Sequence, residues 1–265
     1  MDGDMMDNSI NSKSESRNPN REGESLKIQD LVEDLKSLGI RSGDMLCVHS
    51  SLKSIGPVDG GAATVIAALE KSIAPDGLLL MPSFNLVDKD KRASTWNIES
   101  TPSTVGYLTE FFRTMPGTLR SDHYSHSVAA RGKNASEFVS GHLSKEGLLV
   151  PWDREPWGRT FGTRSPYIKA YENGGKLLML GVDYHSSTYV HLVETLLWNE
   201  HLVANPKAEY IFLYREKLGE YWDSAGKINR GHVGNAECRL FSIKDFVDTL
   251  LELVRSEPKK WTKWG

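Results

Sequence analysis

Cysteine is nearly absent. Cys47 and Cys238 are the only two, one in a strand-like run and one in a polar stretch, so no disulfide framework braces the chain and a reducing, cytoplasmic setting is expected. Long apolar runs are also missing. Leu78-Leu-Leu-Met81 and Leu177-Leu-Met-Leu-Gly-Val182 fall far short of the roughly 20 residues a membrane-spanning helix needs, so no membrane partner is expected and both runs read as buried strands. Nor is there a basic excess. Thirty-two Lys and Arg against 35 Asp and Glu give a net charge of -3, with the cations scattered, which excludes the electrostatic footprint of a nucleic-acid partner. Several signatures are lacking as well: no Gly-x-Ser-x-Gly elbow, no Walker loop or dinucleotide fingerprint, and no His-Glu-x-x-His or Cys pair beside the histidines. Hydrolase and metal readings through His123, His126, His185, His191 and Glu194 lose their support, and no metal is expected.

What remains is ordinary for a globular protein: 265 residues, 39% apolar and 25% charged, enough for a substantial core. Residues 1–24 are rich in Asn, Ser, Asp, Glu, Arg and Gly and read as a disordered leader, with one domain expected over 25–265. Ser25 is the expected cap of a first helix, which Gly39 stops. Further helices are expected from Gly60-Gly61 to about Ile73, from Ser103 or Thr104 to Pro116-Gly117, from Asn134, over 165–171, from Thr188 and over 242–254. Strands are expected at 45–48, 78–84, 127–130 and 176–182, with an ordered aromatic loop over 151–162. Antiparallel strands are expected at 208–215 and around Trp222. The alternation predicts a mixed α/β layered sandwich with antiparallel elements in the C-terminal third.

Two segments carry chemistry. In His49-Ser-Ser-Leu-Lys-Ser-Ile-Gly56, small polar residues join a strand to a helix, so backbone N–H groups and hydroxyls could cradle a phosphate, or simply cap the turn. In Gly181-Val-Asp-Tyr-His-Ser-Ser-Thr-Tyr-Val-His-Leu-Val-Glu194, a strand end enters a helix bearing His191 and Glu194 three residues apart on one face. That pair suits either an oriented general base or a structural hydrogen bond in the core wall.

Val48-His-Ser-Ser-Leu-Lys-Ser-Ile-Gly56, Leu80-Met-Pro-Ser83, Ser125-His-Ser-Val-Ala-Ala-Arg-Gly132, Ser165-Pro166, Gly175-Lys-Leu-Leu-Met-Leu-Gly-Val182, Thr188-Tyr-Val-His-Leu-Val-Glu194 and Gly231-His-Val-Gly-Asn-Ala236 resemble, in order and spacing, the signatures of the aminoglycoside 3-N-acetyltransferase family. The resemblance implies a mixed α/β sandwich distinct from the common GNAT acetyltransferases, and direct acetyl transfer from acetyl-CoA to an acceptor amine without a metal. His191 matches the family's general base and Glu194 its acidic partner, with Val190 in place of the usual leucine. His49, Ser50, Ser51, Leu52, Lys53, Ser54 and Ile55 match the segment that holds the coenzyme A pyrophosphate, and His126 and Ser127 the strand lining the donor pocket. Asp88 and Asp183 are the candidates for contacts to a cationic acceptor. Three stretches depart from the family: 87–92 is of mixed charge, 182–185 carries its carboxylate ahead of the aromatic, and 214–230 lacks an acidic insertion. The acceptor therefore stays open between an aminoglycoside antibiotic and another amino sugar or small amine, a non-catalytic coenzyme A-binding homologue is the alternative, and assembly as a homodimer is left open.

Overall fold

The structure, a computed structural model, describes residues 24–87 and 89–263. The expected leader lies outside the described residues except for Glu24, and Asp88 lies outside them too.

Among the described residues nine strands form the sheets: β1 (Met45–Ser50), β2 (Leu78–Pro82), β3 (Leu119–Arg120), β4 (Val128–Gly132), β5 (Gly147–Leu148), β6 (Phe161–Gly162), β7 (Lys176–Leu180), β8 (Asn229–Val233) and β9 (Ala236–Ser242). Seven of them make one sheet in the order β3-β4-β2-β1-β7-β9-β8, while β5 and β6 pair separately. At its centre β1 runs parallel to both β2 and β7, and antiparallel strands flank this trio on either side. The central strands are buried on both faces, which explains their unbroken apolar composition. Successive side chains go to opposite cores: Leu46 and Val48 to one, Cys47 to the other; Leu178 and Leu180 to one, Leu177 and Met179 to the other. One core is closed by the helices Ile28–Leu38, Gly61–Ile73 and Tyr107–Thr114. The other is closed by Pro166–Glu172, Thr188–Ala204 and Ile243–Ser256. The result is the layered sandwich the sequence pattern predicts. No described helix is long and apolar enough to cross a membrane.

Two expectations need correction. The first helix is capped at Lys27 rather than Ser25, because Leu26 is drawn into a parallel bridge with Val58 and donates its N–H to Pro57 O at 2.9 Å. Segment 208–215 is not a strand: it makes a single bridge, Leu213 to Thr262, through the Tyr214 N–H to Trp261 O and the Lys263 N–H to Phe212 O, and the Leu213 N–H goes to the Glu194 carboxylate. Trp222 lies in the helix Arg215–Ser224, where Leu218 and Trp222, four residues apart, are both buried. The antiparallel pair of the last third is instead β8 with β9.

Candidate active site

β1, β2 and β7 are parallel, so their carboxyl ends open on one side of the sheet, where ligands of open α/β sheets bind. A cavity of about 500 Å3 lies there, within the usual size of a small-molecule site. His49 and Ser50 reach it from the end of β1, Phe84 from beyond β2, Val182 from beyond β7, and Thr188 and His191 from the helix start. The chain enters that helix through a built turn. Asp183 Oδ1 accepts the His185 N–H at 3.0 Å and caps the short 3-10 turn Tyr184–Ser186. A Cβ on Gly219 would lie 2.2 Å from the Tyr184 ring, so glycine lets the helix Arg215–Ser224 press against this turn and carry Arg215 to the cavity.

His191 and Glu194 share one face, as their spacing dictates. Glu194 is 1% exposed; its Oε2 lies 2.6 Å from His191 Nδ1, and its Oε1 accepts the Leu213 N–H at 3.0 Å. Arg215 Nη2 lies 2.6 Å from His191 Nε2 and 3.0 Å from Nδ1, while Nη1 donates to His185 O at 3.1 Å. A guanidinium only donates, and the carboxylate only accepts. The carboxylate therefore accepts the proton on Nδ1 and leaves Nε2 as the basic nitrogen, while Nη2, close to both ring nitrogens at once, rests against the ring and not on the Nε2 lone-pair axis. An imidazole held in this way can take a proton at Nε2 while the buried carboxylate stabilises the resulting charge. Aromatic rings wall it in: Trp152 meets His191 edge-on at 5.9 Å, and His126 meets it at 6.4 Å while stacking on Phe84 at 5.0 Å. Burial holds His126 well below the usual histidine range, so this second ring is neutral.

The other expected residues divide. His49 donates from Nδ1 to Ser186 O, leaving Nε2 buried without a partner, and burial outweighs that bond to lower its pKa to about 4. The amides of the following turn are partly spent: Ser51 N–H bonds Leu180 O at 2.9 Å and Ser54 N–H bonds Ser51 O at 3.2 Å. Leu52–Ile55 is one helical turn, with Lys53 exposed and Ile55 buried. A Cβ on Gly181 would lie 1.8 Å from Ser54 Oγ, so this turn seats directly against the end of β7. Ile55 O accepts the Asn235 N–H at 2.9 Å, which ties the Gly231–Ala236 motif to the same turn. Ser127 spends its hydroxyl on Ser83 O at 2.7 Å. Asp183 is exposed and acts as a cap, and Asp88 is outside the described residues. Cys47 is buried and its pKa is pushed up to about 12, far from the electropositive exposure a nucleophilic thiol needs. Among the described residues no group of three His, Cys, Asp or Glu could hold a metal ion.

Arg215, Trp152 and Arg92 were not marked by the sequence. His49 Nε2, Ser50 Oγ, Arg92 Nε, Trp152 Nε1 and Ser187 Oγ are all buried without a hydrogen-bond partner, and all five residues line this cavity. Buried polar atoms are rarely left unpaired, so a concentration of them marks a place where a polar ligand is received.

Comparison with known proteins identifies the family of the chain. The family model described as aminoglycoside 3-N-acetyltransferase matches residues 47–255. An SPbeta prophage-derived aminoglycoside N(3')-acetyltransferase-like protein, YokD of Bacillus subtilis, is 32% identical over 255 residues, covering 83% of this chain and 89% of that protein. Its crystal structure superimposes with a TM-score of 0.72 at 28% identity, covering 89% of this chain and 96% of that one. Aminoglycoside N(3)-acetyltransferase III of Salmonella sp is 28% identical over 265 residues, covering 82% of this chain and 87% of that protein. The fold also matches AAC-IIIb, solved as a binary complex with CoASH, with a TM-score of 0.71 at 23% identity, covering 91% of this chain and 100% of that one. On the family model and on these relatives, the chain belongs to the aminoglycoside 3-N-acetyltransferase family of acyltransferases.

Proposed function

We propose that this protein transfers an acetyl group from acetyl-CoA to a primary amine of a sugar-like acceptor, with His191 as general base. The observation that carries the reading is the His191–Glu194 pair, with its lone pair on Nε2 at a cavity lined by unpartnered polar atoms. Family membership and the coenzyme A complex of AAC-IIIb support acetyl-CoA as donor.

The chemistry needs such a base. A free amine is mostly protonated at neutral pH and must lose a proton before its lone pair can attack a thioester carbonyl. In the proposed step the amine nitrogen bonds to the acetyl carbon, the C–S bond breaks, and coenzyme A leaves as thiolate. The ammonium's first proton is lost to solvent before attack; His191 Nε2 takes the second from the nitrogen as it bonds, Glu194 stabilises the imidazolium, and the imidazolium then gives that proton to the thiolate. Holding both substrates in one cavity supplies much of the rate. Acetyl-CoA would lie against His49, Ser50 and the turn to Ile55, with the His126 ring beside the reacting atoms. The donor set is nitrogen, hydroxyl and aromatic, and suits this transfer without a metal.

The test is His191→Ala, with coenzyme A binding measured by calorimetry and thiol release followed against a panel of amines. Retained binding with turnover lowered by roughly 100-fold or more is expected, the usual scale of general-base catalysis. Unchanged turnover would remove His191 from the reaction.

A further inference from the structure

The charge of the cavity does not suit the acceptor that the family is named for. Its charged lining residues, besides histidines, are Lys89, Arg92 and Arg215, and no carboxylate is among the described lining residues. The nearest carboxylates are committed elsewhere. Glu194 lies behind His191 and is tied to it and to the Leu213 N–H; Glu216 is exposed and pairs with His185 at 2.7 Å; Asp183 caps its own turn. A polycation entering here would meet like charge with no carboxylate among the described lining residues to offset it.

Arg215 is the most informative of the three cations. It is the first residue of the helix Arg215–Ser224, where the helix dipole already places partial positive charge, so the position is electrostatically costly for a guanidinium. Its side chain is only 19% exposed, its nearest carboxylate oxygen is 3.9 Å away on Glu194, and Nη2 lies 2.6 Å from the nitrogen that must receive the acceptor's proton. Arg92 adds an unsatisfied donor, since its Nε is buried without a partner while Nη1 donates to Asn85 O at 3.4 Å.

We infer that the acceptor is an amine carrying a negative group, a carboxylate or phosphoryl group, which Arg215 binds next to the nitrogen that His191 deprotonates. The inference rests on the acetyltransferase reading above. A planar fork of N–H donors matches the geometry and the charge of such an anion. Binding the anion to a guanidinium that packs against the imidazole holds the acceptor amine beside Nε2. Lys89 and Arg92 add positive potential on the same side.

The test compares matched amines under saturating acetyl-CoA: glucosamine 6-phosphate against glucosamine, β-alanine against propylamine, and sisomicin as the polycation. At least one anionic member is expected to exceed its uncharged partner about tenfold or more in kcat/KM, and to exceed sisomicin; which pair responds separates a phosphoryl from a carboxylate acceptor. Arg215→Gln should bring that ratio close to one and Arg215→Lys should keep part of it. Because the ratio is taken within each variant, a general loss of base strength cancels. Equal rates within both pairs, a preference for sisomicin, or a ratio unchanged in Arg215→Gln would overturn the inference. If no amine releases coenzyme A, the acetyltransferase reading itself has failed. Calorimetric titration of the same pairs then decides the anion site alone: tighter binding of an anionic member that Arg215→Gln abolishes supports it, and equal binding removes it.

Discussion

Glu194→Gln separates a catalytic histidine from a merely structural one, because the substitution keeps the shape and reverses one hydrogen bond. Glu194 accepts from two directions, from His191 Nδ1 at 2.6 Å and from the Leu213 N–H at 3.0 Å. A glutamine has one acceptor to offer. If its oxygen serves Leu213, its amide donates to His191 Nδ1 and forces the proton onto Nε2, the nitrogen that must be free. If the amide turns round, it points a donor at the Leu213 N–H, an unsatisfied contact costing about 1–3 kcal/mol, or roughly 10- to 100-fold in the population of the productive state. The imidazolium formed on proton uptake also loses a charge-assisted bond, worth about 1.5–3 kcal/mol more. Together these predict a fall in kcat of roughly 10²- to 10⁴-fold, in line with what mis-setting a catalytic histidine's tautomer costs elsewhere. Thiol release with the best acceptor reads the rate. Histidine ¹⁵N shifts read the tautomer without any acceptor, changing from proton on Nδ1 to proton on Nε2. A folded variant within threefold of wild-type kcat would refute this account of the pair.

Other predictions follow from buried groups. His49 and His142, whose pKa values burial lowers to about 4, and His123 and His126, lowered in the same direction, are neutral in the folded state but take up protons near pH 6.5 once unfolded. The unfolded state then binds more protons between about pH 6.5 and 4, so stability falls as pH drops through that window, by up to about 1.4 kcal/mol per pH unit for each such histidine. A melting temperature that stays flat from pH 7 to 4.5 contradicts this. Gly219→Ala places a methyl 2.2 Å from the Tyr184 ring, so both stability and acceptor turnover should fall as the Arg215 helix is pushed off the turn. A variant with wild-type melting and turnover would show that the helix is not seated by that contact. Cys47→Ala should retain turnover within about threefold, because a buried thiol with a pKa near 12 forms no acyl-enzyme; an acetyl group on Cys47 in the intact mass spectrum would overturn that.

The elements that the sequence reveals are those whose environment is uniform. β1, β2 and β7 are buried on both faces, so each is an apolar run of strand length, and the helix Ile28–Leu38 ahead of them carries an apolar stripe and a glycine stop. β8 and β9 escape because they form the sheet margin: Asn229-Arg-Gly-His-Val233 is largely exposed, and in β9 buried Ala236, Cys238 and Leu240 alternate with polar neighbours. Segment 208–215 misleads for the opposite reason. It is apolar because Ile211 and Leu213 are buried, yet a side chain and the chain end take its backbone bonds. His191 and Glu194 are legible because three residues of helix suffice to bring them together. Arg215 is not, because 24 residues of sequence separate it from the histidine it touches and no local pattern announces the contact. The Leu218 and Trp222 spacing was the available sign of the helix that delivers it.

The guanidinium over His191 Nε2 also bears on an unwanted reaction. A thioester held beside a general base and open to solvent is prone to hydrolysis, since the base that activates an amine activates water as well. With Nη2 2.6 Å from Nε2 and 3.0 Å from Nδ1, the guanidinium packs against the imidazole and takes up space that water would otherwise fill. On the acetyltransferase reading, less water then reaches a waiting thioester. On that reading Arg215→Ala should raise acetyl-CoA hydrolysis in the absence of any amine, so the residue proposed to select the acceptor would also keep the donor from being spent on solvent.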